Sequence, residues 1–419
     1  MPPQPPSAAS RDEPVIRDRG DACPGALRLH AADDGYLARV RIPGGLLTTR
    51  QALALADAAD RFGDGHLELT SRGNVQLRGL ADGCGDGLAR LLDGAGLLPA
   101  PSHERVRNIV ATPEAGPRVV DRVRELDRLL CASARAADLS GRFLFALDDG
   151  RGDVAALDPD VTLLGGADGP VLVRLGSGVG AVEVDAGDAA RAALCAAAYF
   201  LDAARAAGTR AWRVAELPPE HSLDEGEFVR RLADAGIAAG RVPEVEWPYA
   251  EPPRPGRVGA AGLCALPPLG RLDSAQWRVL AEAAGGEGEL RVTPWRSVVL
   301  PRAAADGAAR VESAGLAVRP GSPWRSVTAC TGRPGCAKSL ADVRADARAV
   351  VERATGGLPV HWSGCARRCG HPRGTAWVDL VATPDGYELD ARPVPHADLA
   401  ATLTAARTTP ITTEAAVKK

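Results

Sequence analysis

Hydrophobic and polar positions follow two similar arrangements along this chain. In the first half, an alanine-rich stretch with helical spacing at 50–61 is followed by the alternating segment His66–Arg72 and a further apolar helix. In the second half, helical spacing at 274–285 is followed by the alternating segment Glu289–Arg296 and another helix. The matching order predicts a duplicated α+β unit, strand–helix–strand–strand–helix in outline. Chance similarity between alanine-rich segments is the alternative.

A glycine-rich loop at Gly176–Gly180 lies between the alternating segments Pro170–Leu175 and Ala181–Val184. A dinucleotide-binding loop leads from a strand into a helix. Here a second strand pattern follows directly, so the sequence predicts a hairpin turn. No nicotinamide or flavin fingerprint is present in the sequence.

Changes in composition divide the chain. Proline-rich Glu251–Gly256 reads as a linker near its middle, and both ends read as polar tails. The predicted segments are a tail at 1–22, a first repeat at 23–100, a first lobe at 101–245, a second repeat at 246–320, a second lobe at 321–404 and a tail at 405–419.

Composition narrows the classes of function. The 419 residues are 45% apolar and carry a formal net charge of -3, which does not favour nucleic acid or an anionic membrane as partner. Residues 1–6 lack the apolar core of a signal peptide, and no apolar stretch has membrane-spanning length. We therefore predict a cytoplasmic, reducing location, where cysteines serve as thiols or metal ligands.

Four of the nine cysteines form two close pairs near the C-terminus. The first pair has five intervening residues and the second has three, and both lie in loops rich in glycine and small residues. Four soft thiolates complete an iron–sulfur cubane, and backbone amides in glycine loops stabilise its charge. The predicted ligands are Cys330, Cys336, Cys365 and Cys369. A structural zinc ion held by the same residues is the alternative, although zinc knuckles are usually tighter.

Together with the cysteine pairs, Leu69–Arg78 and Arg107–Val110 make the sequence resemble the sirohaem nitrite/sulfite reductase superfamily. The resemblance implies two ferredoxin-like half-domains related by a pseudo-two-fold axis. Each would be followed by a larger α/β lobe, with a [4Fe–4S] cluster in the second. In members that bind sirohaem, the residue matching Cys369 also ligates the haem iron. Within the superfamily, Ser363–Pro372 most resembles the precorrin-3B synthases, oxygen-dependent enzymes of aerobic cobalamin synthesis.

A row of polar residues lies in the second half of the first repeat. If 66–79 is one extended strand, four polar side chains share a face and form a comb for carboxylates. These are Arg72, Asn74, Gln76 and Arg78. An ordinary solvated strand face is the alternative. The corresponding segment Ser297–Leu300 lacks this row, so only one copy is expected to bind the carboxylates of a tetrapyrrole.

At one point the sequence differs from the residue pattern of the superfamily, and this difference bears on which members it resembles. The resemblance assigns Arg72 and Arg107 as the two arginines around a bound anion, and it expects two lysines near 142–144. The sequence has Arg142 at one lysine position and Leu144 at the other. A leucine delivers no proton to a reducible anion.

We therefore expect a monooxygenase that hydroxylates precorrin-3A with dioxygen and an external electron donor. The resemblance also implies a non-haem iron. Of the nearby histidines, His103, His361 and His371, no two have ligand spacing, so no catalytic residue is assigned. A sirohaem nitrite or sulfite reductase and a non-catalytic zinc protein are the alternatives.

Overall fold

The computed structural model describes residues 21, 23–166, 169–286, 288–372, 376–389 and 391–408. They form two compact units. The first contains Arg41–Gly45, Leu98–Pro252 and the described residues up to Gly25. The second contains Ala26–Val40, Leu46–Leu97 and the described residues from Pro253 onwards. None of the helices in these ranges has the length and apolar content needed to cross a membrane.

The strands of the described chain are numbered in chain order. They are β1 (His30–Ala32), β2 (Gly35–Val40), β3 (Leu46–Thr48), β4 (His66–Leu69), β5 (Val75–Leu80), β6 (Ile109–Ala111), β7 (Phe145–Asp148), β8 (Val161–Leu164), β9 (Val171–Leu175), β10 (Ala181–Val184), β11 (Ala239–Val242), β12 (Gly256–Val258), β13 (Gly262–Ala265), β14 (Arg271–Asp273), β15 (Glu289–Val292), β16 (Val298–Leu300), β17 (Val327–Ala329), β18 (Val360–Ser363), β19 (Val378–Thr383), β20 (Gly386–Leu389) and β21 (Arg392–Val394).

The α-helices of the same described ranges cover the faces of these sheets. They are α1 (Thr49–Phe62), α2 (Gly85–Gly94), α3 (Pro117–Ala132), α4 (Ala189–Ala206), α5 (Glu225–Asp234), α6 (Ser274–Ala283), α7 (Gly307–Ser313), α8 (Val343–Val350) and α9 (Leu399–Thr408).

The two repeats exchange strands within the second compact unit. The first sheet has the order β1-β2-β5-β4-β14, and the second has the order β12-β13-β16-β15-β3. Strand β14 of the second repeat pairs with β4 through Leu272 and Leu67. Strand β3 of the first repeat pairs with β15 through Leu47 and Leu290. All four leucines are buried. The predicted duplication is thus present, and each sheet is completed by the other repeat.

The helices that follow the exchanged strands begin in the same way. Thr48 precedes α1, and its hydroxyl accepts the amide N–H of Gln51 at 3.2 Å. Asp273 precedes α6, and its carboxylate accepts the amide N–H of Gln276 at 2.7 Å. Both glutamines bond back to the backbone of the capping residue, so each helix starts with a capping box. The amphipathic faces of α1 and α6 then pack together, where the Trp277 indole donates to the Ala52 carbonyl at 2.7 Å.

Two further sheets carry the rest of the chain. In the first unit the order is β11-β10-β9-β8-β7-β6, and β9 and β10 form the hairpin predicted around Gly176–Gly180. In the second unit the order is β17-β18-β19-β20-β21, with β17, β18 and β19 parallel. Its core contains Trp362 edge-on to Tyr387, with ring centroids 5.2 Å apart.

The C-terminal boundary differs from the sequence prediction. A tail was predicted from 405, but α9 continues to Thr408. Arg407 is buried there, and its guanidinium donates to the carbonyl of Leu358 at 2.9 Å and to the hydroxyl of Ser326 at 2.6 Å. These bonds hold the last turn against the sheet despite its polar sequence. Of the predicted tails at 1–22 and 405–419, residues 1–20, 22 and 409–419 lie outside the described residues.

Replacing Trp277 with phenylalanine tests the packing of α1 against α6. The change removes the indole donor to Ala52 and leaves a gap in a fully buried site. We expect the free energy of unfolding in denaturant to fall by about 2 kcal/mol. Trp247→Phe is the control, because that indole is partly exposed and donates weakly to Val179 at 3.3 Å. Equal losses in the two variants would contradict the interpretation.

Candidate metal and tetrapyrrole site

The two cysteine pairs follow neighbouring parallel strands. The first cysteine loop, Cys330–Cys336, follows β17, and the second cysteine loop, Cys365–Cys369, follows β18. The C-terminal ends of parallel strands meet at one edge of a sheet, so both loops begin side by side. The Gly364 amide donates to the Cys330 sulfur at 3.1 Å. A side chain at Gly364 would have its Cβ 1.9 Å from the Ser339 hydroxyl, so this close approach requires glycine.

The electrostatics of Cys330 suit a bound thiolate. Burial raises the pKa of this thiol, while the amides of Gly364 and Gly332 lower it. The Cys369 and Cys365 thiols raise the pKa further. A thiol whose ionised form is crowded by other thiols is stabilised as thiolate by a shared cation.

Three buried polar atoms beside the second cysteine loop have no hydrogen-bond partner within the described chain. They are His361 Nε2, Ser363 Oγ and Asp379 Oδ1. His361 uses its Nδ1 with the Thr328 hydroxyl at 2.8 Å, and burial lowers the pKa of this histidine to about 4. The other oxygen of Asp379 accepts from Arg368 at 2.6 Å. Unsatisfied buried groups are rare in proteins and point to a group that the polypeptide itself does not supply.

The donor set fits an iron–sulfur cubane in its chemistry: four thiols on two adjoining loops, with amide N–H groups directed at sulfur. Among the described residues, no three His, Cys, Asp or Glu side chains lie close enough together to hold a single metal ion. Ligation by the four cysteines remains a prediction, as do the zinc alternative and the non-haem iron.

The polar row is not one strand. Strand β4 ends at Leu69 and β5 begins at Val75, so residues 70–74 form a hairpin turn. The Thr70 amide donates to the Asn74 carbonyl at 2.9 Å, and Gly73 takes a left-handed φ of 65° that favours glycine. The prediction that the four polar side chains share one strand face is therefore wrong. Arg72 and Asn74 lie in the turn, and only Gln76 and Arg78 lie on a strand.

Arg78 connects the first repeat to the first cysteine loop. Its guanidinium binds Asp34 bidentately, at 2.9 and 2.7 Å, and donates to the Gly335 carbonyl at 3.0 Å. The Asp33 carboxylate accepts the Ala337 amide at 2.7 Å beside it. Residues of β5 and of the turn before β2 therefore bond the backbone on both sides of Cys336, at Gly335 and at Ala337.

A second connection reaches Cys330. Arg344, on α8, donates to the Glu68 carboxylate at 2.6 Å and to the Cys330 carbonyl at 3.2 Å. Gln76 lies opposite Glu68 across the hairpin and donates to it at 3.1 Å, while its own oxygen accepts from Arg39 at 2.9 Å. Sequence reasoning missed Asp34, Glu68 and Arg344, and their opposite charges are the only signal that the sequence offers for this pairing.

The remaining predicted residues belong to the first compact unit. Arg107 is 4% exposed and binds Asp127 bidentately, at 2.7 and 2.8 Å. Arg142 is exposed, and its guanidinium lies 4.8 Å from the centre of the Trp212 ring. His103 is buried and bonded through Nε2 to the Ser133 carbonyl at 2.8 Å, as in a structural histidine.

Leu144 is buried at the entry to β7. Its amide donates to the Asp160 carboxylate at 2.8 Å, which also binds the Arg213 guanidinium at 2.5 Å. Burial raises the pKa of Asp160 to about 6, opposed by Arg213 and by the amides of Val214 and Leu144. The apolar side chain and the polar amide of Leu144 are thus both accommodated by the fold, and no lysine occurs before residue 338.

Comparisons with known proteins agree with this architecture. The model for the nitrite/sulfite reductase ferredoxin-like half-domain matches residues 30–92 and 254–318, the two repeats. A precorrin-3B synthase from Sinorhizobium sp is 27% identical over 410 residues, covering 90% of this chain and 83% of that protein. A ferredoxin–nitrite reductase from Leptolyngbya laminosa is 27% identical over 397 residues, covering 83% and 76%. The structure of the Mycobacterium tuberculosis NirA protein matches with a TM-score of 0.66 and 19% identity, covering 84% and 73%.

The two repeats match the ferredoxin-like half-domain of nitrite and sulfite reductases, so the predicted pair of ferredoxin-like half-domains is confirmed. These relatives are oxidoreductases, which supports the prediction that this chain is an enzyme. Within the superfamily, the chain is similar to a precorrin-3B synthase along nearly its whole length.

A double-mutant cycle tests the connection through Arg78. Arg78→Gln leaves the Asp34 carboxylate half-buried without its cation, so we expect a loss of about 3 kcal/mol in unfolding free energy. The double variant Arg78→Gln with Asp34→Asn should recover part of that loss. Denaturant unfolding measures the stability of Arg78→Gln, of Asp34→Asn and of the double variant. Iron content should fall most in Arg78→Gln. Purely additive losses would show that the pair is not coupled.

Removing one cysteine tests the cluster. Cys336→Ser should lose most of the iron and acid-labile sulfide and should unfold at lower temperature, because metal binding is coupled to folding. Cys84→Ser is the control, since this half-buried cysteine precedes α2 and should leave the iron content unchanged. Full iron in the Cys336 variant would exclude that residue as a ligand.

Proposed function

We propose that this protein is an oxygen-dependent precorrin-3B synthase, which hydroxylates precorrin-3A at C20 and closes a γ-lactone from the ring A acetate. One atom of dioxygen enters the substrate. The other leaves as water, with two electrons from an external donor and two protons. The proposal is supported by the similarity to a precorrin-3B synthase over 90% of the chain.

The observation that favours a synthase over a reductase is the side chain at 144. Reduction of nitrite or sulfite consumes protons at the anion, and protonated lysines are suited to deliver them. Leu144 is buried and its side chain is apolar, and its backbone amide is already bonded to Asp160. The first 337 residues contain no lysine to replace it.

In this proposal the four cysteines hold the cluster in the second unit. A [4Fe–4S] cluster supplies one-electron transfer when bound. Gly364 and Gly332 direct amide N–H groups toward Cys330, and such bonds stabilise thiolate charge. Arg344 and Arg78 fix the loop backbones at Cys330 and Gly335, which keeps the thiolates in register for a rigid cofactor.

Substrate carboxylates are proposed to bind the polar groups of the first hairpin in the second unit, and Arg107 and Arg142 are proposed carboxylate-binding residues of the first unit. Arg72 lies in the hairpin turn itself, half-buried. Arg78 and Arg107 already bind carboxylates of the protein, so each would contribute to the local electrostatic potential of its own unit. Arg142 is exposed and is the more accessible cation. Asn74 and Gln76 complete the proposed set.

An isotope experiment tests this function. Anaerobically purified protein with a chemical reductant should convert precorrin-3A to a hydroxylated lactone only when dioxygen is admitted. With ¹⁸O₂, mass spectrometry should detect one labelled oxygen atom in the product. The protein should reduce nitrite and sulfite only slowly. Leu144→Lys alone should raise these reduction rates little, because one amine does not rebuild a proton-delivery network. Rapid reduction of either anion without oxygen would contradict the proposal.

A further inference from the structure

The hairpin turns of the two repeats have the same hydrogen bonds. In the first, the Gly73 amide donates to the Thr70 carbonyl at 3.1 Å. In the second, the Arg296 amide donates to the Thr293 carbonyl, also at 3.1 Å. The Thr70 and Thr293 hydroxyls accept the amides four residues later, at 3.1 and 3.2 Å. Arg296 is therefore the counterpart of Gly73.

The shared position has a left-handed backbone. Gly73 has φ 65°, and Arg296 has φ 58°. Glycine adopts this conformation at no steric cost, whereas an arginine is strained there. Strain of this kind persists where the surrounding structure enforces it, and it is concentrated at ligand-binding sites. The first repeat shows that glycine is compatible with this turn, so folding alone does not explain the arginine.

The side chain of Arg296 extends toward the second cysteine loop. Its stem passes over Gly270, where a Cβ would lie 2.7 Å from the Arg296 Cδ, so that glycine leaves room for it. The guanidinium reaches the residue after Cys369: its Nη2 lies 3.6 Å from the position of a Cβ on Gly370. The His361 Cε1 lies 4.0 Å from the same Cβ position, so the guanidinium and this imidazole both border Gly370.

The guanidinium makes no hydrogen bond and no ion pair within the part of the chain that the structure describes. Neighbouring arginines of this unit differ: Arg78, Arg271 and Arg344 each bind a carboxylate. Burial lowers the pKa of Arg296, and the nearby Arg344 adds to that effect. The carboxylate that opposes it, Glu68, is bonded to Arg344. A strained and partly desolvated cation without an anion destabilises the fold, and a bound anion would reverse this.

We propose that Arg296 binds a carboxylate of the tetrapyrrole on the Cys369 side of the second cysteine loop, an inference that rests on the proposed function. Arg296 is half-buried, so solvent and a ligand both reach it. Its planar fork matches a carboxylate. The second repeat therefore contributes to substrate binding, although its strand lacks the polar row of the first.

The test uses cluster-loaded protein and sirohydrochlorin, a stable isobacteriochlorin with eight carboxylates, as probe. Arg296→Gly should weaken its binding about tenfold or more, as expected for a lost charge-assisted contact. Arg296→Lys should weaken it less. Absorbance titration measures both. The control is Arg302→Gly, which removes an exposed arginine from the same unit and should leave the affinity unchanged.

A stability measurement separates this role from a structural one. Arg296→Gly places glycine at this turn position, as Gly73 is in the first repeat. Because this removes the backbone strain, the unfolding temperature of the iron-free protein should stay the same or rise. A structural arginine would instead give a lower unfolding temperature. Iron content and the cluster reduction potential should match those of the unchanged protein.

Three outcomes would overturn the inference: no saturable binding of sirohydrochlorin by the unchanged protein, equal affinity in Arg296→Gly, or a shifted cluster potential with unchanged affinity. The last would assign the arginine to the cluster. Failure of the oxygen assay with binding still dependent on Arg296 would contradict the proposed function and leave this inference standing.

Discussion

The exchange of strands between the two repeats is the constraint on which the rest of the second unit depends. Strand β3 enters the sheet of the second repeat, and β14 enters the sheet of the first. Each exchanged strand leads into a helix with a capping box, which sets the start of α1 and α6 and brings them into contact. Each of the hairpins β4–β5 and β15–β16 is thereby paired with a strand of the other repeat, and their turns have the same hydrogen bonds.

The cysteine loops depend on this arrangement through polar contacts with the first repeat. Arg78 bonds the carbonyl of Gly335, and Arg344 joins Glu68 to the carbonyl of Cys330. Both contacts involve backbone atoms of the loops and leave the thiols available. The protein thus positions sulfur by holding the main chain, as expected where ligands must keep a fixed geometry.

The sequence was informative where a pattern is local. Helical spacing located α1 and α6, the alternation around Gly176–Gly180 predicted a hairpin, and the cysteine spacing selected four residues that the fold places on two adjoining loops. The polar row was misread because alternation of polar residues does not reveal a turn. Gly73 was the local signal for that turn. Asp34, Glu68 and Arg344 were missed because long-range ion pairs have no sequence period. Arg296 would have emerged from aligning the two turns residue by residue.

The exchanged strands also bear on how such a chain arises. A single repeat taken alone would leave the edge of its sheet unpaired beside β4 or β15, and exposed edges favour pairing with another chain. Two identical copies would satisfy one another by donating the strand before the helix, in a closed two-fold dimer. Joining the copies through a linker makes that pairing intramolecular and frees each copy to change independently. Gly73 and Arg296 occupy equivalent positions of the two repeats, and within a single chain such positions can carry different residues with different tasks.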